Sequence, residues 1–312
     1  MTTYKGLRGL TIQTVAGDPS NLSAGQIWYN SSARKIKVFK AGAGAWSTAT
    51  ALNTGRTVQA TAGIQTAGLC SGGNPAPSRA LSEEWNGSAW AEGDNLQTAR
   101  SSFRGTGTQT AALAVGGAPP ANGTGATEEY NGTSWSEQSD RNAGYNLGLA
   151  GTQTAGLAMG GYDGGGMNEV DEYDGSSWTA GGNYPASVYN ITGIGTQTAA
   201  LGLGGTPGLG AKAKEYDGST WSEGGDLPAD WAWSHGAGTQ TAAISAVLGL
   251  CATYNGTAWA EVGDLNTPRR EGDGSNAGTS AATSYYAGGD PGPSACEEWD
   301  DPSLVTATFT SS

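Results

Sequence analysis

Histidine is almost absent from this chain, with one residue, His235, in 312. A metal centre built from several imidazoles is thereby excluded, and a histidine-dependent catalytic triad would have to use that single ring. The three cysteines, Cys70, Cys251 and Cys296, lie far apart without Cys-x-x-Cys spacing. Buried free thiols are expected of them rather than a disulfide framework or a metal site. Charged residues make up only 14% of the chain, and 15 Lys+Arg against 28 Asp+Glu leave a net charge of −13 with no basic block. Nucleic-acid binding is therefore not expected. No run approaches the ~18 apolar residues of a membrane helix, and the opening MTTYKGLRGL lacks the apolar stretch of a secretory leader.

Glycine and tryptophan are in excess, at 53 and 11 residues against three phenylalanines. Glycine at this density is incompatible with a helix-rich chain, while 37% hydrophobic residues suffice for a packed core. The excess is periodic. A phrase of the type TQTAALAVGG…EEYNGTSWSE recurs, with its Gln at 65, 109, 153, 197 and 240, spaced by 44, 44, 44 and 43 residues. Its Trp recurs at 46, 90, 135, 178, 221 and 259, and a sixth copy, Gly278 to Trp299, has lost the Gln. A period of ~40–50 residues belongs to propeller blades or helical-pair solenoids, and the glycines exclude the latter.

Each repeat reads as four strands, A to D. In the second repeat these are Ser101–Gly107, Thr110–Val115, Ala126–Tyr130 and Thr133–Glu137, with Gly116-Gly117 ending strand B. Thr108-Gln109 is read as the A–B turn and Asn131-Gly132 as a two-residue type I′ hairpin between C and D. The alanine-rich strand B suits an inner position between neighbouring blades, and the outer Trp fills the wider wedge. The expected fold is all-β, a propeller of four-stranded antiparallel blades. Seven blades are favoured if Gln26–Asn30, Lys35–Lys40 and Ala45–Thr48 form a degenerate first blade and Leu304–Thr310 a terminal strand. The alternative is six blades, with Trp46 completing the last repeat and an N-terminal hairpin as an appendage. In the favoured reading residues 1–50 are an N-terminal module with the degenerate first blade, and residues 51–312 are the repeats that complete a single propeller.

The double glycines (72-73, 116-117, 160-161, 204-205, 288-289), the later aromatic (Trp85, Tyr130, Tyr173, Tyr216, Tyr254, Trp299), the following Trp and an Arg ten residues on (Arg56, Arg100, Arg269) resemble the kelch-repeat β-propellers. The resemblance is specific for fold and weak for function. The fifth repeat departs from it, with Val247-Leu248 in place of the glycines. The segment KGLRGLTIQTVAGDPSNLSAGQIWYNSSARKIKV, with Trp46 and LNTGR after it, resembles the short modules that precede kelch-like arrays in marine bacteriophage tail and fibre proteins.

In an up-and-down blade the A–B and C–D turns share one face, and the B–C and D–A connections share the other. The first face is uniform. The second is variable in length and composition, as binding faces are, and as drifting loops also are. It carries a candidate partner-binding set: Tyr184, Tyr189, Trp231, Trp233 and His235. These suit sugar rings or a protein partner, whereas the plainer reading makes Trp231 and Trp233 inter-blade packing residues. The paired acids Glu83-Glu84, Glu128-Glu129, Asp171-Glu172 and Glu297-Glu298 point to opposite faces of strand C and cannot act together as a glycosidase pair. They are read as a solvated edge. Calcium at the acidic run Asp163–Asp174 lacks EF-hand spacing. No catalytic residue, metal or cofactor is expected.

Two function classes remain. The resemblance implies a non-enzymatic structural and receptor-facing protein of a phage particle, associated with a tail or fibre. It would assemble in the host cytoplasm, reside in the virion and contact virion proteins and a host surface glycan or receptor. The alternative is an extracellular, lectin-like glycan-binding propeller. A sialidase-like hydrolase is a distant third.

Overall fold

The computed structural model describes residues 13–16, 27–32, 35–40, 44–75, 79–142, 144–271, 273–274, 285–290, 294–300 and 305–308. The chain divides into two compact units, residues 45–301 and a smaller one of residues 1–44 with 302–312. Among the described residues every regular element is a strand. The larger unit is a β-propeller of four-stranded antiparallel blades.

The second sheet serves for all. Its strands are Arg104–Thr108, Ala111–Val115, Thr127–Tyr130 and Trp135–Glu137, antiparallel in that order. Five sheets are built in this way from four consecutive strands, the innermost being Ala60–Ile64, Arg104–Thr108, Gly148–Thr152, Thr192–Thr196 and His235–Thr239. A sixth sheet joins both ends of the unit: Asp273–Gly274, Tyr285–Ala287, Cys296–Asp300 and then Ala45–Ala49. Trp46 lies opposite Trp299 in that sheet, with ring centroids 5.4 Å apart. The innermost Asp273–Gly274 touches both His235–Thr239 and Ala60–Ile64.

This placement corrects the favoured seven-blade count. Ala45–Thr48 does not complete an N-terminal blade, because its Trp supplies the aromatic pair that the sixth sheet otherwise lacks. The remaining terminal strands form a separate sheet in the smaller unit, Gln13–Val15, Ile27–Asn30, Lys35–Lys40 and Val305–Thr308, whose first pair is parallel and therefore unlike a blade. Gln26, Gly278, Leu304, Phe309 and Thr310, which the sequence reading included in its elements, lie outside the described residues.

The core lies between neighbouring sheets. One cluster joins Ala60, Ala62 and Leu69 of the first sheet to Phe103, Ala112, Ala114, Tyr130 and Trp135 of the second. Small residues from one sheet let the next approach, and the outer Tyr–Trp pair fills the wedge, with Tyr130 and Trp135 at 5.0 Å. The repeated Gln links the same surfaces. Gln109 Nε2 donates to the carbonyls of Gly68 (2.9 Å) and Trp85 (2.7 Å) of the preceding sheet, and Gln153, Gln197 and Gln240 repeat the arrangement.

Both hairpins differ from expectation. The A–B loop is Gln109-Thr110, one residue later than read, because Thr108 pairs with Ala111. The C–D loop spans four residues rather than two, since Tyr130 pairs with Trp135. Only Gly132 takes a positive φ there, while Asn131 Oδ1 accepts the amides of Thr133 and Ser134, both at 2.9 Å. The Asn is thus an Asx-turn acceptor and not the first residue of a type I′ turn.

Candidate partner-binding face

Strand C decides which titratable groups are available. Its first acid is buried and paired with the repeated Arg: Glu83 with Arg56, Glu128 with Arg100 at 2.6 Å, and Glu297 with Arg269 at 2.6 Å. Each of these carboxylates also accepts two backbone amides from the preceding connection, as Glu128 does from Gln97 (2.8 Å) and Thr98 (3.2 Å). In the third sheet Asp171 pairs at 2.9 Å with Arg141, from three residues earlier in the connection. The second acid faces the other way and accepts the phenol of the next sheet: Tyr130 to Glu84, Tyr173 to Glu129 (3.0 Å), Tyr216 to Glu172 (2.7 Å) and Tyr254 to Glu215 (2.6 Å). Burial and the adjacent carboxylate push these phenols above their ordinary range, so they remain protonated donors. The reading of the paired acids as a solvated edge is therefore corrected: they tie each sheet internally and to its neighbour.

Two sheets lack the first acid, and their connections change with it. The fourth has Lys214 and the fifth Ala252 at that position, Val188 and Trp231 in place of the Arg, and Pro185 and Pro228 in place of the donating amide. A proline has no N–H to leave unsatisfied. Trp231, almost fully buried, packs in one cluster with Ala252, Leu227 and Tyr254. It fills with apolar surface the place where other sheets hold an ion pair.

The five sequence-derived candidates are thus found in different settings. Trp231 is a core residue, as the plainer reading had it. Tyr184 is also buried, its ring edge-on to Trp221 at 4.8 Å, in the place that Leu52, Leu96, Leu227 and Leu265 occupy elsewhere. His235 is buried on the innermost strand, with Nδ1 2.7 Å from Asp273 Oδ1. Burial holds its pKa below the ordinary value, and Arg104 acts in the same direction against the opposing pull of Asp273. Its Nδ1–H accordingly donates to the carboxylate. Tyr189 and Trp233 are half-buried and come close through the backbone, the Trp233 amide donating to Asn190 O at 3.3 Å.

That bond belongs to a series. Val58, Ser102, Asn146, Asn190, Trp233 and Glu271, one per sheet, all have φ between 49° and 65°. The amides of Val58, Ser102, Asn146 and Asn190 donate to the carbonyls of Glu271, Val58, Ser102 and Asn146 at 2.6–2.8 Å. The left-handed turn aims each amide at the neighbouring sheet where the D–A connections enter the innermost strands. Trp233 is one member of this series, and a half-exposed aromatic ring stands there beside the variable loops.

Two further tyrosines join Tyr189. Tyr145 pairs with Tyr162 just beyond Gly160-Gly161, and Tyr162 meets Tyr189 from the next connection, with ring centroids 5.4 Å and 5.2 Å apart. Gly160, at φ +59, is required here, since a Cβ would lie 2.7 Å from Val188 O. An open polar cleft of about 410 Å³ is lined by Thr98, Thr124, Thr127, Glu137, Gln138 and Asp140. The fifth sheet presents exposed Leu248 and Leu250 at its two-residue B–C turn.

Burial raises the thiol pKa of Cys251 to about 12 and of Cys296 to about 11, and that of Cys70 further. Among the described residues no group of His, Cys, Asp or Glu is arranged to hold a metal ion. The chain matches no protein-family model, and no curated protein is a significant relative.

Proposed function

We propose that this chain is a non-enzymatic structural and interaction protein of a phage particle, tail- or fibre-associated, that presents the face of its B–C and D–A connections to a virion or host-surface partner. In this reading it is a kelch-type propeller whose sixth blade is the sheet closed by Ala45–Ala49. The observation that carries the proposal is the inequality of the two faces. On one, short hairpins are tied to the framework by glutamine side chains and Asx turns. On the other, connections of unequal length carry Tyr145, Tyr162, Tyr189, Trp233, Leu248 and Leu250 beyond what sheet packing uses. A rigid scaffold with variable loops on one side is suited to recognition. The paired acids of strand C, the groups most suggestive of hydrolysis, are occupied in ion pairs and phenol bonds, which supports binding over turnover. The test is copurification. The chain should stay with virions through a density gradient, and its absence from purified particles would contradict the proposal.

A further inference from the structure

The tyrosines of this protein are used in two ways. Those of the framework give their hydroxyls to carboxylates of the neighbouring sheet, as Tyr130, Tyr173, Tyr216 and Tyr254 do, or to a backbone oxygen, as Tyr184 does to Gly202 at 3.3 Å. Tyr145, Tyr162 and Tyr189 do neither: their hydroxyls have no hydrogen-bond partner among the described residues, and all three rings are half-buried. They form a continuous row across the third and fourth sheets, with successive rings tilted by 58° and 72°. The Tyr145 ring lies against the backbone of Gly123, where an added Cβ would come within 3.0 Å of Cδ1, and Gly165, beyond Tyr162, faces open space.

The surrounding charge narrows the ligand. Residues 118–125, 186–191 and 206–211 contain no Asp, Glu, Lys, Arg or His, and residues 162–168 contain only Asp163 of these types; the flanking Arg141 and Lys212 are paired with Asp171 and Asp226. No lysine or arginine in these segments could meet a sialic acid, a sulfate or a phosphate. Resting on the reading of this face as the partner-binding one, we propose that the Tyr145–Tyr162–Tyr189 row binds an uncharged saccharide chain. The apolar faces of the sugar rings pack on the phenol rings, and the free phenol hydroxyls meet sugar hydroxyls as donors and acceptors. A protein partner is less well matched. Tyrosine is itself common in protein hot spots, but those are desolvated centres that also hold Trp and Arg, whereas this row has neither, is flanked by glycine-rich polar loops and keeps its hydroxyls free.

The test uses the full chain on a printed array of neutral, sialylated and sulfated oligosaccharides, with Tyr162→Ala, Tyr162→Phe and Tyr189→Ala compared with wild type. Each variant is first shown to keep the wild-type thermal transition. Binding confined to uncharged glycans is expected, weakened at least tenfold by Tyr162→Ala and less by Tyr162→Phe, which keeps the ring. Retention of no neutral glycan, preference for anionic ones, or wild-type binding by both alanine variants would each overturn the proposal. Particle association is read separately. A chain that sediments with virions yet binds no neutral glycan overturns the saccharide platform alone, and one that binds through the row but is missing from particles overturns the particle assignment alone.

Discussion

Replacing Glu128 with Gln should destabilise the propeller far more than a one-atom change suggests. Arg100 and Glu128 both have fully buried side chains, 2.6 Å apart, and burial already opposes the guanidinium charge. Removing the carboxylate leaves that charge without its counter-ion, a change that costs about 3–5 kcal/mol in buried pairs. For a unit of this size the loss corresponds to a fall in Tm of roughly 6–20 °C. The fifth sheet also supplies the compensation. A triple variant, Gln97→Pro, Arg100→Trp and Glu128→Ala, copies its Pro228, Trp231 and Ala252. Because an apolar replacement of a buried pair is often neutral or better, the triple variant should regain at least about 2 kcal/mol over Glu128→Gln. Urea denaturation followed by tryptophan fluorescence measures both. A loss below about 1 kcal/mol for Glu128→Gln, or a triple variant less stable than the single one, would refute the reasoning.

Three other outcomes follow from buried groups. His235 has a lowered pKa in the fold, so below its ordinary value of ~6.5 the unfolded chain binds a proton that the folded chain does not; stability should be constant with respect to this group above that pH and fall as pH drops through it. His235→Asn should remove that component below about pH 6.5 in pH-dependent denaturation, and a wild-type stability that rises as pH falls below that value would contradict the assignment. The thiols of Cys70, Cys251 and Cys296 should react with a disulfide reagent at neutral pH only after denaturation, so prompt labelling of the native protein would place one of them at the surface. Gly204→Ala puts a Cβ 2.0 Å from Trp231 O, whereas Gly208→Ala, also at positive φ, meets nothing within 4 Å. The second should cost only the left-handed penalty of about 1–2 kcal/mol and the first clearly more, and equal losses in thermal unfolding would show that the close approach is absent.

Much of the blade was legible because its determinants are local. The alternation of strand B, the double glycine and the Tyr–Trp pair each act within a few residues and repeat at one period. The turn chemistry was misread because Asn-Gly suits two hairpins; the side-chain acceptor role of Asn131, which lengthens the loop to Ser134, depends on where Tyr130 finds its partner. The end of the ring was harder. Whether Trp46 belongs with the strands before it or with Trp299 is a pairing over 253 residues that no local pattern decides. For the candidate face, aromatic character alone was a poor guide. Tyr184 stands in a position otherwise held by leucine, and Trp231 in one otherwise held by arginine, so comparison of the repeats position by position marks both as framework. The same comparison places Tyr145 and Tyr189 at one repeat position, held by Thr57 and Ser101 in other sheets, and so marks Tyr145 as a companion of the candidate Tyr189.

Which surface meets a partner is the property that most directly separates the two faces. Cryo-electron microscopy of the chain in complex with the partner that copurifies with it would show this directly. It should reveal six four-stranded sheets closed by Ala45–Ala49, with the partner resting on the connections that carry Tyr162, Tyr189 and Trp233. A partner seated on the opposite face, over the Gln109-Thr110 and Asn131-Gly132 turns, would contradict it.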